Sequence, residues 1–269
     1  MEEDTTPKIT EERIKKYLKE GKRFDDRKPE DFRELTIESG VSRKAEGSVR
    51  VGLGKTEAIV GVKMDVAEPY PDSGDKGNLM VTAELLPLSS GRIESGPPKI
   101  DSIELGRVID RGIRESGFLD MEKLCIKENE KVWTLFVDIY SINDDGNMLD
   151  AAGIGAYAAL KLAKVPKYDE ENDEVLYGQP DKDLPLTDKN PIVTTVYKLG
   201  EDLVVDPTRE EEDVADARIT IGSSDKSISS IQKGGSQPFT TEEIEKALDI
   251  SERKWEELFK NIEKQLKKE

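Results

Sequence analysis

Lys131-Val-Trp-Thr-Leu-Phe-Val-Asp-Ile-Tyr-Ser-Ile142, then Asp144-Asp-Gly-Asn-Met-Leu-Asp-Ala-Ala152 and an Ala/Gly-rich run to Lys164, is the stretch that decides the fold. Its first part is dense in β-branched and aromatic residues and predicts a strand over 131–142. Its last part predicts a helix over 149–164. A helix surfaced mainly by Ala and Gly has to lie close against another layer. A strand that turns directly into a buried helix is the core unit of a sheet-plus-helix protein. The turn between them has two readings. Backbone N–H groups at a strand-to-helix turn can cradle a phosphate. Alternatively, Asp150 caps the helix and puts a carboxylate where the anion would sit, which the residues favour.

Upstream, residues 100–116 predict a helix with Leu105, Val108, Ile109 and Ile113 inward. Arg107, Arg111 and Arg114 follow at spacings of four and three on the opposite side. That stripe either grips phosphates through planar guanidinium forks or is a solvated face paired with Glu104, Asp110 and Glu115. Residues 85–118 carry five basic and five acidic groups, so the region is neutral within a chain of net charge −17. Before it, residues 68–99 read as a long loop holding a strand, Met80 to Leu86, and a Gly/Ser/Pro-rich loop, Ser89 to Pro98, that carries Arg92. Alternating strands are predicted over 34–41, 48–53 and 58–66. Gly52-Leu-Gly-Lys-Thr56 looks like part of a P-loop, but Val49 stands where its first Gly belongs and a strand follows it, so it reads as a hairpin turn. A short helix capped by Thr10, with Ile14, Tyr17 and Leu18 on one face and Gly21 at its end, forms a docking arm.

Downstream, Val165 to Pro191 holds four prolines and many acidic residues and reads as a linker between domains. Short antiparallel strands follow over 192–197, 203–206, 217–222 and 227–232. Thr240 and Glu243 make a capping box for the final helices, with Trp255, Leu258, Phe259, Ile262 and Leu266 on one face. The expected fold class is α/β (α+β): an N-terminal helical arm (1–30), a first mixed sheet-plus-helix unit (31–165), a linker (166–190) and a second such unit (191–269).

Composition narrows the chemistry. The 269 residues include 41 Lys and Arg, 58 Asp and Glu, no His and one Cys. Catalysis through His, a His-based metal site, a disulfide framework and a thiolate zinc cluster are therefore excluded. No apolar run approaches the roughly 18–20 residues that span a bilayer, and the acidic N-terminus is not a secretory signal. A soluble, cytoplasmic protein with no membrane contact is expected. The net charge argues against nucleic-acid binding by the whole surface but allows a local basic patch. The cluster Asp206-Pro-Thr-Arg-Glu210-Glu211-Glu212-Asp213, with Asp216, could hold Mg²⁺, although an acidic surface turn is the favoured reading.

Five ordered motifs together resemble RNase PH-like proteins over nearly the whole chain. They are Gly21-Lys-Arg-Phe-Asp-Asp-Arg-Lys-Pro-Glu-Asp-Phe-Arg33; Gly47-Ser-Val-Arg-Val-Gly-Leu-Gly-Lys-Thr-Glu-Ala58; Glu104-Leu-Gly-Arg-Val-Ile-Asp-Arg-Gly-Ile-Arg-Glu-Ser116; Asp144 to Ala152; and Val205-Asp-Pro-Thr-Arg-Glu-Glu-Glu212. The resemblance implies an RNase PH-like fold and a place in ring assemblies that degrade RNA from the 3′ end using phosphate. Catalytic members carry a hydroxyl and an Arg in the strand-to-helix turn, where this chain has Met148 and Leu149. They also carry two Asp residues six apart, where this chain has approximately Glu210 and Asp216. The pattern resembles the non-catalytic RNase PH-like subunits of archaeal exosomes.

That resemblance implies no catalytic residue, no metal and no cofactor. The implied partners are a catalytic RNase PH-like subunit, three of each in a six-membered ring, cap subunits with OB-fold or KH modules, and RNA. Arg107 and Arg111 would hold RNA phosphates across the subunit interface, Arg114 beside them, and Arg92 would face the central channel. Two alternatives stand: a divergent phosphorolytic exoribonuclease using Asp216 and Mg²⁺, and a scaffold that never touches RNA.

Overall fold

Leu35–Ser39 (β1), Gly47–Leu53 (β2) and Thr56–Ala67 (β3) pair antiparallel in sequence order. The β2–β3 turn, with Gly54 at φ +59°, is the hairpin that the Gly-Leu-Gly-Lys-Thr stretch predicts. Asn78–Glu84 (β4), Cys125–Lys127 (β5) and Lys131–Asn143 (β6) complete a sheet ordered β1-β2-β3-β6-β4, with β5 pairing β6. Only β4 runs parallel to its neighbour, β6. A parallel pair needs a crossover, and the helix Ile100–Arg114 (α2) lies in the connection. The computed structural model describes residues 6–225 and 227–267.

Met148–Leu162 (α3) is buried from Met148 through Leu160 and packs between this sheet and the second one. Its small residues permit the approach. A Cβ on Gly155 would stand 2.6 Å from Val60 Cγ2, and one on Gly153 would stand 3.0 Å from Val193 Cβ. At the far end of α3 the strand itself must yield: a Cβ on Gly47 would stand 2.3 Å from the Ala159 carbonyl oxygen and 2.9 Å from Ala163 Cα. Neither backbone atom can swing away. Gly47→Ala is expected to cost about 1–3 kcal/mol or more through forced overpacking. Gly91→Ala, where nothing lies within 4 Å, serves as control. Thermal midpoints of the two variants check this, and equal midpoints would refute it.

The segment expected as a linker is structured: Lys164–Asp169 (β7) and Glu174–Asp183 (β8) form an antiparallel hairpin. The prolines do not prevent the pairing. The ladder shifts register on either side of Pro166, where a proline cannot donate. Pro191–Leu199 (β9), Asp202–Val205 (β10), Ala217–Ser224 (β11) and Ser227–Gly235 (β12) form the second sheet, ordered β10-β9-β11-β12. A short helix, Arg209–Asp213 (α4), precedes β11. The expected final helices are one helix, Thr241–Leu266 (α5), opened by the Thr240/Glu243 capping box.

The main core joins the first sheet, α2 and α3 to Ile192 and Val193 of β9 and to Leu258 and Ile262 of α5. A smaller core lies between the second sheet and the first half of α5. The N-terminal helix, Lys8–Lys19 (α1), starts after Pro7 rather than at Thr10, since Pro tolerates a helix start where no N–H is required. Ile14 and Leu18 bury against Tyr197, Leu199 and Val204 of the second sheet. Tyr17, expected on the same face, is 36% exposed and meets Phe24 edge-on.

At the other end of the chain, Gln265 of α5 reaches the edge of the first sheet. Its Oε1 accepts from the Ile37 N–H at 2.8 Å, and its Nε2 donates to the Leu35 carbonyl at 2.7 Å.

Candidate functional site

The strand-to-helix turn after β6 has its donors already engaged. Asp145 N–H donates to Thr56 Oγ1 (3.2 Å), Gly146 N–H to Asp144 Oδ1 (3.3 Å) and Asn147 N–H to Glu212 Oε2 (3.0 Å). Gly146, at φ +90°, lets the turn lie against 207–209, where a Cβ would stand 2.6–2.7 Å from backbone atoms. Asp150 does not cap α3. Asn147, in a left-handed conformation, takes the N-cap position, and Asp150 sits one turn in, fully buried. Its carboxylate accepts from Asn147 Nδ2 (3.0 Å) and Thr195 Oγ1 (2.8 Å). Burial pushes its pKa up to about 7, with the Asp206 charge adding to the rise and the two hydrogen bonds opposing it.

Beside the turn lies a cavity of about 340 Å³ whose lining includes Met148, Leu149, Asp144, Glu212 and Glu104. Its three arginines are all engaged by carboxylates. Arg209 pairs with Asp144 and lies 3.4 Å from Glu212. Arg218 pairs with Glu104 at 2.7 Å, and Arg92 donates to both oxygens of Asp213 at 2.6 and 2.8 Å. Burial opposes the charge on Arg209, but Glu212, Asp144 and Asp213 outweigh it and hold its pKa above the usual value. Burial likewise opposes the charge on Asp213, but Arg92 and Thr6 outweigh it and hold that carboxyl below its ordinary value. Among the described residues, a phosphate dianion entering here would meet no unpaired cation and several carboxylates.

Neither Glu210 nor Asp216 lines this cavity. Glu210 is exposed on α4. Asp216 accepts from the Gly200 N–H at 2.6 Å and lies 3.5 Å from Lys15 Nζ, so it ties α1 to the β9–β10 turn. Among the described residues no group of three or more Cys, Asp or Glu is arranged to hold a metal ion.

The other predicted positions lie on α2 and the loop before it. Arg107 and Arg111 are exposed and line a cleft of about 310 Å³ between α2 and β12, with Ile100, Ile103 and Ile231. Neither has an ion-pair partner among the described residues, because Glu104 goes to Arg218 and Asp110 to Arg114. Arg114 is half engaged: besides Asp110 it donates to the Leu79 carbonyl at 2.8 Å. The structure thus brings Arg107 and Arg111 together on one cleft and places Arg92 and Arg114 in contacts of their own.

Residue types alone placed Gly21, Lys22 and Arg23 at the end of the first helix and gave no role to Arg27 or Arg33, although the segment 21–33 carries the first motif. In the structure it is clamped. Arg23, fully buried, pairs with Glu211 and donates to the Val205 and Asp206 carbonyls. Asp206, buried at φ +47°, accepts from Arg33 N–H (2.7 Å), Arg33 Nη2 (2.6 Å), Arg27 Nη1 (3.0 Å) and Asn147 Nδ2 (3.0 Å). Arg33 also donates to the Asp145 and Gly146 carbonyls. Three arginines in a polar, non-helical stretch were the available signal; their partners lie more than 170 residues away.

Comparison with known proteins agrees with this architecture. Residues 31–166 match the 3′ exoribonuclease family, domain 1, and residues 189–254 match domain 2 of the same family. The chain is 43% identical to the exosome complex component Rrp42 of Methanothermobacter thermautotrophicus, over 98% of this chain and 97% of the relative. It is 46% identical to the Rrp42 of Thermococcus onnurineus, over 94% of each. Among solved structures it superposes with TM-score 0.85 and 42% identity on a chain of the Archaeoglobus fulgidus exosome with RNA bound to the active site, covering 94% of this chain and 98% of that one. The two matched domains and the near full-length relatives together establish that this chain belongs to the 3′ exoribonuclease (RNase PH) family.

Proposed function

We propose that the chain is a non-catalytic ring subunit of an archaeal exosome, a complex that degrades RNA phosphorolytically from the 3′ end. The observation that carries this reading is the turn at 144–147, whose amides and neighbouring arginines are held by the chain's own acceptors. Phosphorolysis brings a phosphate dianion up to a phosphodiester, and beside these carboxylates, with the arginines already paired, that encounter is unfavourable. The likeness to Rrp42 relatives over nearly the full chain supports the same reading.

In the proposed assembly this chain alternates with a catalytic RNase PH-like subunit, three of each, under OB-fold or KH cap subunits in the cytoplasm. Its own division would be an arm (1–30), a first domain (31–165), the 166–190 connection and a second domain (191–269). Its contribution is indirect: Arg107 and Arg111 hold RNA phosphates, with Arg114 and Arg92 as lesser contacts, and the subunit orders the partner's active site.

Two experiments test this. The purified chain, given oligo(A), phosphate and Mg²⁺, is expected to release no nucleoside diphosphate; phosphate-dependent release would make it an enzyme. In the reconstituted ring, Arg107→Glu with Arg111→Glu is expected to leave assembly intact and lower RNA affinity at least tenfold. The slope of log affinity against log salt should become shallower by about 1–2, since each lost phosphate contact on a single strand removes about 0.7. An unchanged slope would leave the chain as a scaffold.

A further inference from the structure

A second cleft lies at the opposite end of α3. The helix has 15 residues, about 22 Å at roughly 1.5 Å per residue, so Leu162 is that far from the cavity at Met148. The cleft holds about 300 Å³ between the loop before β2, the end of α3 and the β7–β8 hairpin. Arg43, Lys44 and Lys164 stand at its rim, and Leu162, Tyr177 and Pro180 give it an apolar side. Arg43 and Lys44 are exposed and have no ion-pair partner among the described residues. Lys164 has only a 3.5 Å contact with the exposed Asp183. The one carboxylate lining the cleft among the described residues, Glu46, is already engaged by Lys63 at 2.7 Å and by the Met64 N–H at 3.0 Å.

Three cations with so little carboxylate pairing set this cleft apart from the cavity at Met148, whose three arginines are all paired, on a chain of net charge −17. The surrounding field repels an acidic partner everywhere except at such a gap, which gives specificity of placement rather than affinity. Exposed ion pairs contribute little each, so an apolar anchor is needed as well. The cleft supplies one. Tyr177 is 53% exposed, and Leu162 and Pro180 lie beside it.

We propose that this cleft docks an acidic segment of another protein: an extended peptide whose carboxylates meet Arg43 and Lys44 and whose apolar side chain rests on Leu162, Tyr177 and Pro180. A nucleic acid fits less well. The single aromatic ring has Lys63 Nζ 4.3 Å from its centroid, so one face is closed to a stacked base, and the rest of the lining offers no second stacking platform.

The test measures fluorescence anisotropy of a dye-labelled peptide, eight glutamates around a central leucine, with the full chain. The wild type is expected to bind it. Arg43→Glu with Lys44→Glu, both at exposed positions, should weaken binding at least tenfold, and Tyr177→Ala at least threefold. Arg107→Glu with Arg111→Glu should leave peptide binding unchanged, which separates this site from the RNA contacts on α2. The proposal is overturned if the wild type shows no binding at millimolar peptide, or if Arg43→Glu with Lys44→Glu binds like wild type. It is also overturned if oligo(A) affinity falls in parallel with peptide affinity in that variant, which would make the cleft a nucleic-acid surface.

Discussion

Asp206→Ala is expected to lower the folding stability by about 3–5 kcal/mol, the range for breaking a buried ion pair by removing one partner. The carboxylate is fully buried and takes hydrogen bonds from Arg27, Arg33 and Asn147. Without it, the Arg33 side chain, 8% exposed, keeps Asp145 at 3.6 Å as its ion-pair partner among the described residues, with the Glu212 charge nearby. The substitution also puts Ala where φ is +47°, a conformation that Asp tolerates better. Asp206→Asn keeps the shape and that tolerance but not the charge, and should fall between. Urea midpoints at pH 7 check the series, with Glu210→Ala, on the exposed side of α4, as reference. If Asp206→Ala unfolds at the midpoint of Glu210→Ala, the clamp is not what joins residues 23–33 to the two domains.

The second large effect is on pH. Asp150 has its pKa raised from 3.8 to about 7 in the folded chain. The folded state therefore binds this proton more tightly than the unfolded one, and stability falls as pH rises through the interval between those values. The loss is complete above about pH 7 and amounts to something on the order of 4 kcal/mol, since each pH unit of that interval is worth about 1.4 kcal/mol. Between pH 5 and pH 8 about 3 kcal/mol of this is lost, so for a chain of this size the thermal midpoint should be lower by roughly 5–10 °C at pH 8 than at pH 5. Asp150→Asn removes the titrating group. Its amide can accept from Asn147 and donate to Thr195, so the variant should hold nearly the same midpoint at both pH values. Parallel pH profiles for variant and wild type would show that Asp150 stays ionised throughout. Below about pH 4 the trend reverses through Asp213 and Asp25. Burial raises both, but hydrogen bonds and charge from their arginine partners outweigh it and lower their pKa values, so protonation removes that stabilisation.

Much of this was legible in the sequence because it depends on neighbours along the chain. Period-two alternation located β2 and β3, and the burial of Leu105, Val108, Ile109 and Ile113 followed from their spacing. The small residues of α3 announced its close packing before Gly155 and Val60 were seen to touch. What was missed depends on partners far away. The prolines of 166–190 suggested a linker, yet a hairpin can carry them where no donor is required. Asp150 read as a cap because residue type fixes capping preference; Asn147 takes that place through a left-handed turn that Gly146 and Asp206 support. The arginines of 23–33 were visible, but a carboxylate 173 residues later that holds Arg33 was not. Ion pairs between distant parts of one chain leave no local pattern to read.

Gln265 has a consequence for the chain before it assembles. Its amide group makes with Leu35 and Ile37 the pair of bonds that a further strand would make. An open sheet edge is a template for joining chains into cross-β aggregates, and β1 is such an edge, capped at Leu35 and Ile37 by Gln265 from the last turn of α5. A polypeptide cut short before Gln265 would keep the arginines discussed above but would leave the Leu35 carbonyl and the Ile37 N–H of that edge open to another strand.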